Sequence, residues 1–218
     1  MNQSVLTGPV TIAAQGIWEE SVNALHTVGA YVETADGRGF RYAKVGATAT
    51  VAGKVYQSSA LDATNLQVSG GFTPSADVAI GGTVITVSDS ITLTKDQLAG
   101  GYLSVVVTPG QGYAYKIAGN TAVTAAAGAV ITLADPLQIA ITTASNFIMA
   151  KHPYNGIVIE PGTPTGVIVG VAHRVTTAAY FGWVQTYGPA SVLFTGTGVA
   201  GKAVGSLTGG TSGSVAPA

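Results

Sequence analysis

The chain has no cysteine, which removes disulfide staples, thiolate metal ligands and thiol nucleophiles from consideration. It is also short of charge. Lys, Arg, Asp and Glu make up 9% of the 218 residues, against roughly 25% in an ordinary soluble protein. The net charge of −1 comes without a basic cluster, and this argues against nucleic acid as a partner, because phosphate binding needs several Lys or Arg on one face. Leucine is scarce at 11 residues and methionine at 2, so a helical protein is excluded. Long apolar runs are missing too. The longest stretch free of charge, 175–201, is broken by Gln185, by Gly188-Pro189 and by several threonines, and it is too polar to cross a bilayer. Met1 to Val10 lacks the basic start and Leu-rich centre of a secretory leader, so synthesis in a cytoplasm is expected.

What is present is β-forming. Val, Ile and Thr together number 67 and glycine 30, a mixture of residues stiff at χ1 and residues suited to tight turns. The length suffices for one large or two small domains, each with its own core. A folded chain of 21.7 kDa exposes about 9,000 Å² by the usual size scaling. The 9 basic and 10 acidic residues then fall one to roughly 500 Å², sparse cover for β edges that are otherwise free to pair. Coverage by other subunits, hence a homo-oligomer, is the expectation.

The patterning predicts an all-β fold, a sandwich or small barrel, with an extended N-terminal arm and one short helix. Residues 1–16 read as the arm, interrupted by Gly8-Pro9. Ile17, Trp18, Ser21, Val22 and Leu25 recur at helical spacing and predict a helix over 15–26. Thr94-Lys95-Asp96-Gln97 has the form of a capping box and predicts one helical turn ending at Leu98. The Asp36-Gly37 pair predicts a hairpin between 31–34 and 39–42. Further strands are expected at 83–87, 102–108, 113–117, 130–133, 146–150, 156–160, 166–173, 181–185 and 191–194. This divides the chain into an arm and helix (1–27), a β body whose hairpins suggest two or three related units (28–195) and a Gly/Ser/Ala-rich tail with a flexible end (196–218). The repeated units are suggested by Phe40-x-Tyr42, Tyr113-x-Tyr115 and Phe181-x-Trp183, and by Val-Ala-Gly-Lys at 51–54 and again at 199–202.

Chemistry-bearing patterns are few. His26, His152 and His173 have no second ligand at metal spacing, no Gly-x-Ser-x-Gly occurs, and Glu19-Glu20 point about 100° apart on a helix. No catalytic residue, metal or cofactor is expected. The aromatic pairs suit core packing, an interface or stacking on sugars.

The run from Asp36 to Ala43, the following Val51-Ala52-Gly53-Lys54, the Asn155-Gly156 turn and the stretch from Tyr180 to Ala190 resemble structural proteins of tailed bacteriophages, most of all capsid decoration, or cement, proteins. The resemblance spans most of residues 28–205. It implies a non-enzymatic virion component that binds the major capsid protein on the outside of an icosahedral shell and reinforces it, with no membrane partner. Two alternatives stay open, a tail or head-fibre component and a surface carbohydrate-binding β module; with only ten acids to supply a carboxylate pair, a glycan-cleaving enzyme is disfavoured. Trp18, Trp183, Phe181 and Tyr187 are the aromatic candidates for an interface. Deleting residues 2–14 is expected to weaken particle binding while leaving the body folded, as read by co-sedimentation with particles and by circular dichroism of the truncated chain.

Overall fold

The computed structural model of the chain describes residues 15–60, 62, 66–67, 69–126, 128–206 and 210–217. Its strands run, in chain order, β1 (Tyr31–Glu33), β2 (Gly39–Val45), β3 (Val55–Gln57), β4 (Val84–Thr86), β5 (Ile91–Leu93), β6 (Tyr102–Val107), β7 (Ala114–Asn120), β8 (Val123–Ala126), β9 (Val130–Leu133), β10 (Asn146–Ala150), β11 (Asn155–Ile159), β12 (Ile168–Val171), β13 (Phe181–Tyr187), β14 (Val204–Gly205) and β15 (Ala216–Pro217). The fold is all-β. It divides into two compact units, one of residues 1–60 with 153–218 and one of residues 61–152 inserted between β3 and β11.

The first unit is a small closed barrel. Strands follow the order β2-β11-β3-β12-β13, β13 returns to pair with β2, and β1 extends the sheet beside β2. Every ladder is antiparallel except β2 with β11. Alternation sorts the side chains of β2 and β13 onto two faces. Ala43 and Val184 pack with Tyr56, Ile157 and Val169, a cluster that draws on all five barrel strands and therefore fills the interior. Phe40, Tyr42 and Trp183 form a second cluster with Ile17 and Val32, both of which lie outside the five strands. Trp183 sits opposite Tyr42, the rings 5.0 Å apart and edge-on.

Residues 15–26, expected as a helix, instead form an irregular strap over this aromatic face. The barrel offers the strap's backbone better partners than a twelve-residue helix offers itself. Ser21 and Phe181 exchange backbone hydrogen bonds of 3.0 and 2.8 Å. Gln15 Nε2 donates to the carbonyls of Glu19 and Phe181, and Tyr42 donates its hydroxyl hydrogen to Gln15 Oε1 at 2.6 Å. The Glu19 carboxylate accepts from Gly16 N at 2.8 Å. Ile17 is the apolar pin, 1% exposed. Of the expected arm, residues 1–14 lie outside the described residues.

The inserted unit holds a five-stranded antiparallel sheet, β10-β6-β7-β9-β4, and the β5–β8 pair. Its core is Ile85, Leu98, Leu103, Ile117, Ile131, Phe147 and Met149 with their neighbours, all buried on one side of the sheet. The helical turn expected at 94–98 is a non-helical turn. The capping interaction forms, with Gln97 Oε1 accepting from Thr94 N at 2.8 Å, but Asp96 lies at φ 56 and Leu98 N donates to Asn120 Oδ1, so no helix propagates.

Further expectations are corrected. The aromatic pairs at 40/42 and 181/183 are not copies of one hairpin but facing strands of one barrel, while 113/115 belongs to the other unit. The repeated Val-Ala-Gly-Lys is a repeated turn: the Lys54 and Lys202 amides each close on the valine carbonyl three residues back, and Gly53 and Gly201 supply φ near +78 in each. In the segment expected as a flexible tail, the described residues 196–206 and 210–217 are built in. β14 pairs β15, Val215 bridges Phe194, and Gly213 N donates to Glu160 O at 2.8 Å. At φ +72, Gly213 presses its backbone so close to Lys54 that an added Cβ would lie 2.8 Å from the lysine's own. Residues 191–194, expected as a strand, form no strand; they contribute that bridge and a backbone bond from Leu193 N to Gly53 O at 2.6 Å.

Beneath this C-terminal segment Glu160 is 0% exposed, and neither carboxyl oxygen has a hydrogen-bond partner among the described residues. Orphaned buried oxygens of this kind cost about 1–3 kcal/mol. Glu160→Met, which replaces them with an apolar chain of similar length, is expected to raise the melting temperature by about 2–4 °C for each kcal/mol recovered. Differential scanning calorimetry checks it, and a lower melting temperature would show that the carboxyl group contributes to the fold.

Candidate functional site

The barrel unit carries a groove of about 380 Å³ lined by Trp18, Arg38, Ala52, Gly53, Val171, His173, Gln185, Pro189 and Ser191. It is assembled from the strap, the start of β2, the 51–54 turn, the end of β12 and the end of β13. Each side chain is held by a separate device.

Trp18 is 56% exposed although it is one of the largest apolar groups in the chain. Its backbone is fixed on both sides. The Ile17 carbonyl accepts from His173 Nε2 at 2.7 Å, and the Trp18 carbonyl accepts from Arg174 Nη1 at 2.7 Å. The indole meets the His173 ring edge-on at 4.8 Å, and His173 in turn meets Phe40 edge-on at 5.1 Å. Next along the strap, the Glu20 carboxylate accepts from Thr177 N at 2.6 Å and from Thr177 Oγ1 at 2.9 Å. These bonds to Thr177, the backbone one foremost, hold the Glu20 carboxyl below its ordinary value.

The Nε2–H bond to Ile17 fixes the His173 tautomer and leaves Nδ1 as a buried lone pair without a partner among the described residues. Burial is the main cause of a lowered His173 pKa. The positive charges of Arg174 and Arg38 add to it, and the bond to Ile17 acts against it. His26, whose ring packs against Tyr42 and Trp183, is lowered by burial. Its Nε2 and the neighbouring Trp183 Nε1 are both buried without partners among the described residues.

Arg38 stands just past the Asp36-Gly37 turn. Its Nε donates to Asp36 Oδ2 at 2.7 Å, and the guanidinium lies over the Phe40 ring at 5.6 Å. Asp36 also accepts from Thr34 Oγ1, and with Arg38 this holds the Asp36 carboxyl below its ordinary value. The two terminal amino groups of Arg38 have no partner among the described residues. Gln185 is 5% exposed and donates through Nε2 to the carbonyls of Tyr187 at 3.1 Å and Pro189 at 2.7 Å, so its amide oxygen is what remains for a ligand.

The sequence-expected interface residues separate. Trp183 is 2% exposed and belongs to the aromatic cluster beneath the strap, so it offers nothing to a partner. Phe181 is half-buried and stacks on Tyr42 at 5.9 Å. Tyr187 and Trp18 project, at 67% and 56% exposure, and of the four only Trp18 lines the groove. Among the described residues no three His, Asp or Glu side chains converge as metal ligands, and His152 lies in the other unit. No helix among the described residues is long and apolar enough to cross a membrane. Sequence reading missed Arg38, Gln185 and His173 as a set, because the groove gathers stretches far apart in the chain and leaves no linear motif. No family model, curated protein or solved structure matches this chain.

His26 and His173 both titrate lower folded than unfolded, so the unfolded chain takes up protons first as pH falls. Their stabilising contribution is complete above about pH 6.5, the unfolded value, and is lost progressively below it. Chemical denaturation between pH 7 and 5 is expected to show falling stability, and the double variant His26→Gln, His173→Gln a flatter profile. An unchanged slope would place the proton uptake elsewhere. The Glu20 carboxylate follows the usual acid pattern, its contribution present above the ordinary carboxylate range and lost as pH falls through it.

Proposed function

We propose that this protein is a non-enzymatic virion structural protein that decorates the outer surface of a bacteriophage capsid, with the major capsid protein and further copies of itself as partners. The observation that carries this reading, beside the sequence resemblance, is the solvent face of the inserted unit's sheet. Along β6 and β7 the residues opposite the core are Tyr102, Ser104, Ala114, Lys116 and Ala118, with Val84 and Thr132 continuing the face across β4 and β9. Lys116 is the one charge among them. Tyr102 is 50% exposed and Val84 48%. Small uncharged side chains on a sheet suit face-to-face packing against another surface.

Size favours a repeated contact over an isolated pair. Five strands about 4.8 Å apart and some 16 Å long present roughly 400 Å², half the area of about 800 Å² that a stable partner contributes. One such contact is weak. A shell presents it many times, and each further attachment point between copies raises retention without new chemistry. At about 25 cal/mol per Å², apolar burial at each site adds to the cohesion of the shell.

Ala114→Glu places a charge on the central strand of this sheet at an exposed position. Occupancy on particles, measured by quantitative mass spectrometry after co-sedimentation, is expected to drop about tenfold, the effect of 1.4 kcal/mol. The thermal melt of the free protein should not change. A variant that decorates as well as the parent, or a parent chain that binds no particle, counts against the reading.

A further inference from the structure

We propose that the groove at Trp18 is a binding site for an acidic sugar, with the sugar ring on the exposed indole and its carboxylate on the terminal amino groups of Arg38. This goes beyond a decorating role and does not depend on it.

Three features define the ligand. The first is an indole left in solvent yet pinned through its own carbonyl, through that of Ile17 and by the ring of His173, so an apolar platform stands ready without further ordering. The faces of sugar rings carry C–H groups that pack on such a platform. The second is Arg38. Its Nε is held by Asp36 and its plane lies over Phe40, so the two remaining amino groups form a fixed fork, the geometry that pairs with a carboxylate through two parallel hydrogen bonds. Asp36 makes the guanidinium rigid and is itself occupied by Thr34 and Arg38. The third is Gln185, whose donors are spent on Tyr187 and Pro189, leaving an acceptor for a sugar hydroxyl. A groove of about 380 Å³ is at the small end of the range for small-molecule sites.

A peptide strand fits less well. Extended peptides bind by adding to a free sheet edge, and here β12, β13 and β2 are consecutive members of a closed barrel with no edge to offer beside the groove. A neutral sugar would leave the Arg38 fork unused.

The test uses the full chain and reads tryptophan fluorescence. Of the two tryptophans Trp183 is buried, so a ligand-induced change reports Trp18. Oligomers of galacturonate and glucuronate, and sialyllactose, are titrated against lactose and cello-oligosaccharides as neutral controls. At least one acidic sugar is expected to bind at least tenfold more tightly than its neutral counterpart. Arg38→Ala should remove that preference, Arg38→Lys should restore only part of it, and Trp18→Ala, followed by calorimetry, should weaken binding at least tenfold, with thermal melts confirming that each variant folds. No binding of any acidic sugar up to about 10 mM, equal binding of acidic and neutral sugars, or a preference that survives Arg38→Ala would overturn the proposal. Particle occupancy is measured separately. Loss of sugar binding and loss of decoration are thereby read as independent outcomes.

Discussion

The return of β13 onto β2 is the pairing on which the first unit depends. It turns an open sheet into a barrel, and its register, with Trp183 opposite Tyr42 and Gln185 opposite Phe40, decides what lies on either side. Ala43 and Val184 go inward and complete the interior cluster. Phe40, Tyr42 and Trp183 go outward, where they would be a large apolar patch if left bare. The strap from Gln15 onward covers them, and its own polar backbone is satisfied at Phe181, on the same strand that made the patch. A one-residue slip of β13 would turn Trp183 inward and Val184 outward, taking the largest ring from the face the strap covers. The groove follows from the same pairing, since Arg38 and Gln185 flank the Phe40 position and Trp18 and His173 approach it from the strap and from β12.

Period-two patterning was easy to read where strands are half-exposed. β9 and β10 fall at the expected residues, and the Asp36-Gly37 hairpin forms between β1 and β2. The pattern fails where burial does not alternate: β3, whose three residues are all buried, shows no alternation to detect. The strap misled for the opposite reason. Ile17, Trp18, Val22 and Leu25 are apolar at helical spacing, yet only Ile17 is buried, and a stripe of which three members stay in solvent has no core to fold against. The groove was illegible because its parts are ordinary when taken one at a time: a residue after a turn, a glutamine late in a strand, a histidine at a strand end. Only barrel closure brings them together.

Scarcity of charge acquires a spatial meaning in this fold. The barrel unit places its few charges with care. Glu20 caps Thr177, Asp36 holds Arg38, and Arg174 holds the strap carbonyl. On the inserted unit's sheet the solvent face is left to Ala, Ser, Thr and Tyr around a lone lysine. One unit therefore uses charge to position side chains, while the other withholds it from a surface. The two modes of recognition proposed above, a polar groove and a flat sheet face, map onto this division.

The insertion also sets an order of events as the chain emerges from the ribosome. All seven strands of the inserted unit, β4 to β10, are present once residue 150 has been made. The barrel has by then only β1, β2 and β3, and the strand that closes it ends at Tyr187. Until then β2 carries Phe40 and Tyr42 without their partner Trp183, and the strap has no Phe181 to bond. The inserted unit can complete its core from local pairings during this interval, whereas the barrel must wait for a contact spanning some 140 residues, the slower kind to form. A nascent chain stalled short of β13 would thus display one finished unit and one unpaired, aromatic-rich sheet, the species most exposed to aggregation during synthesis.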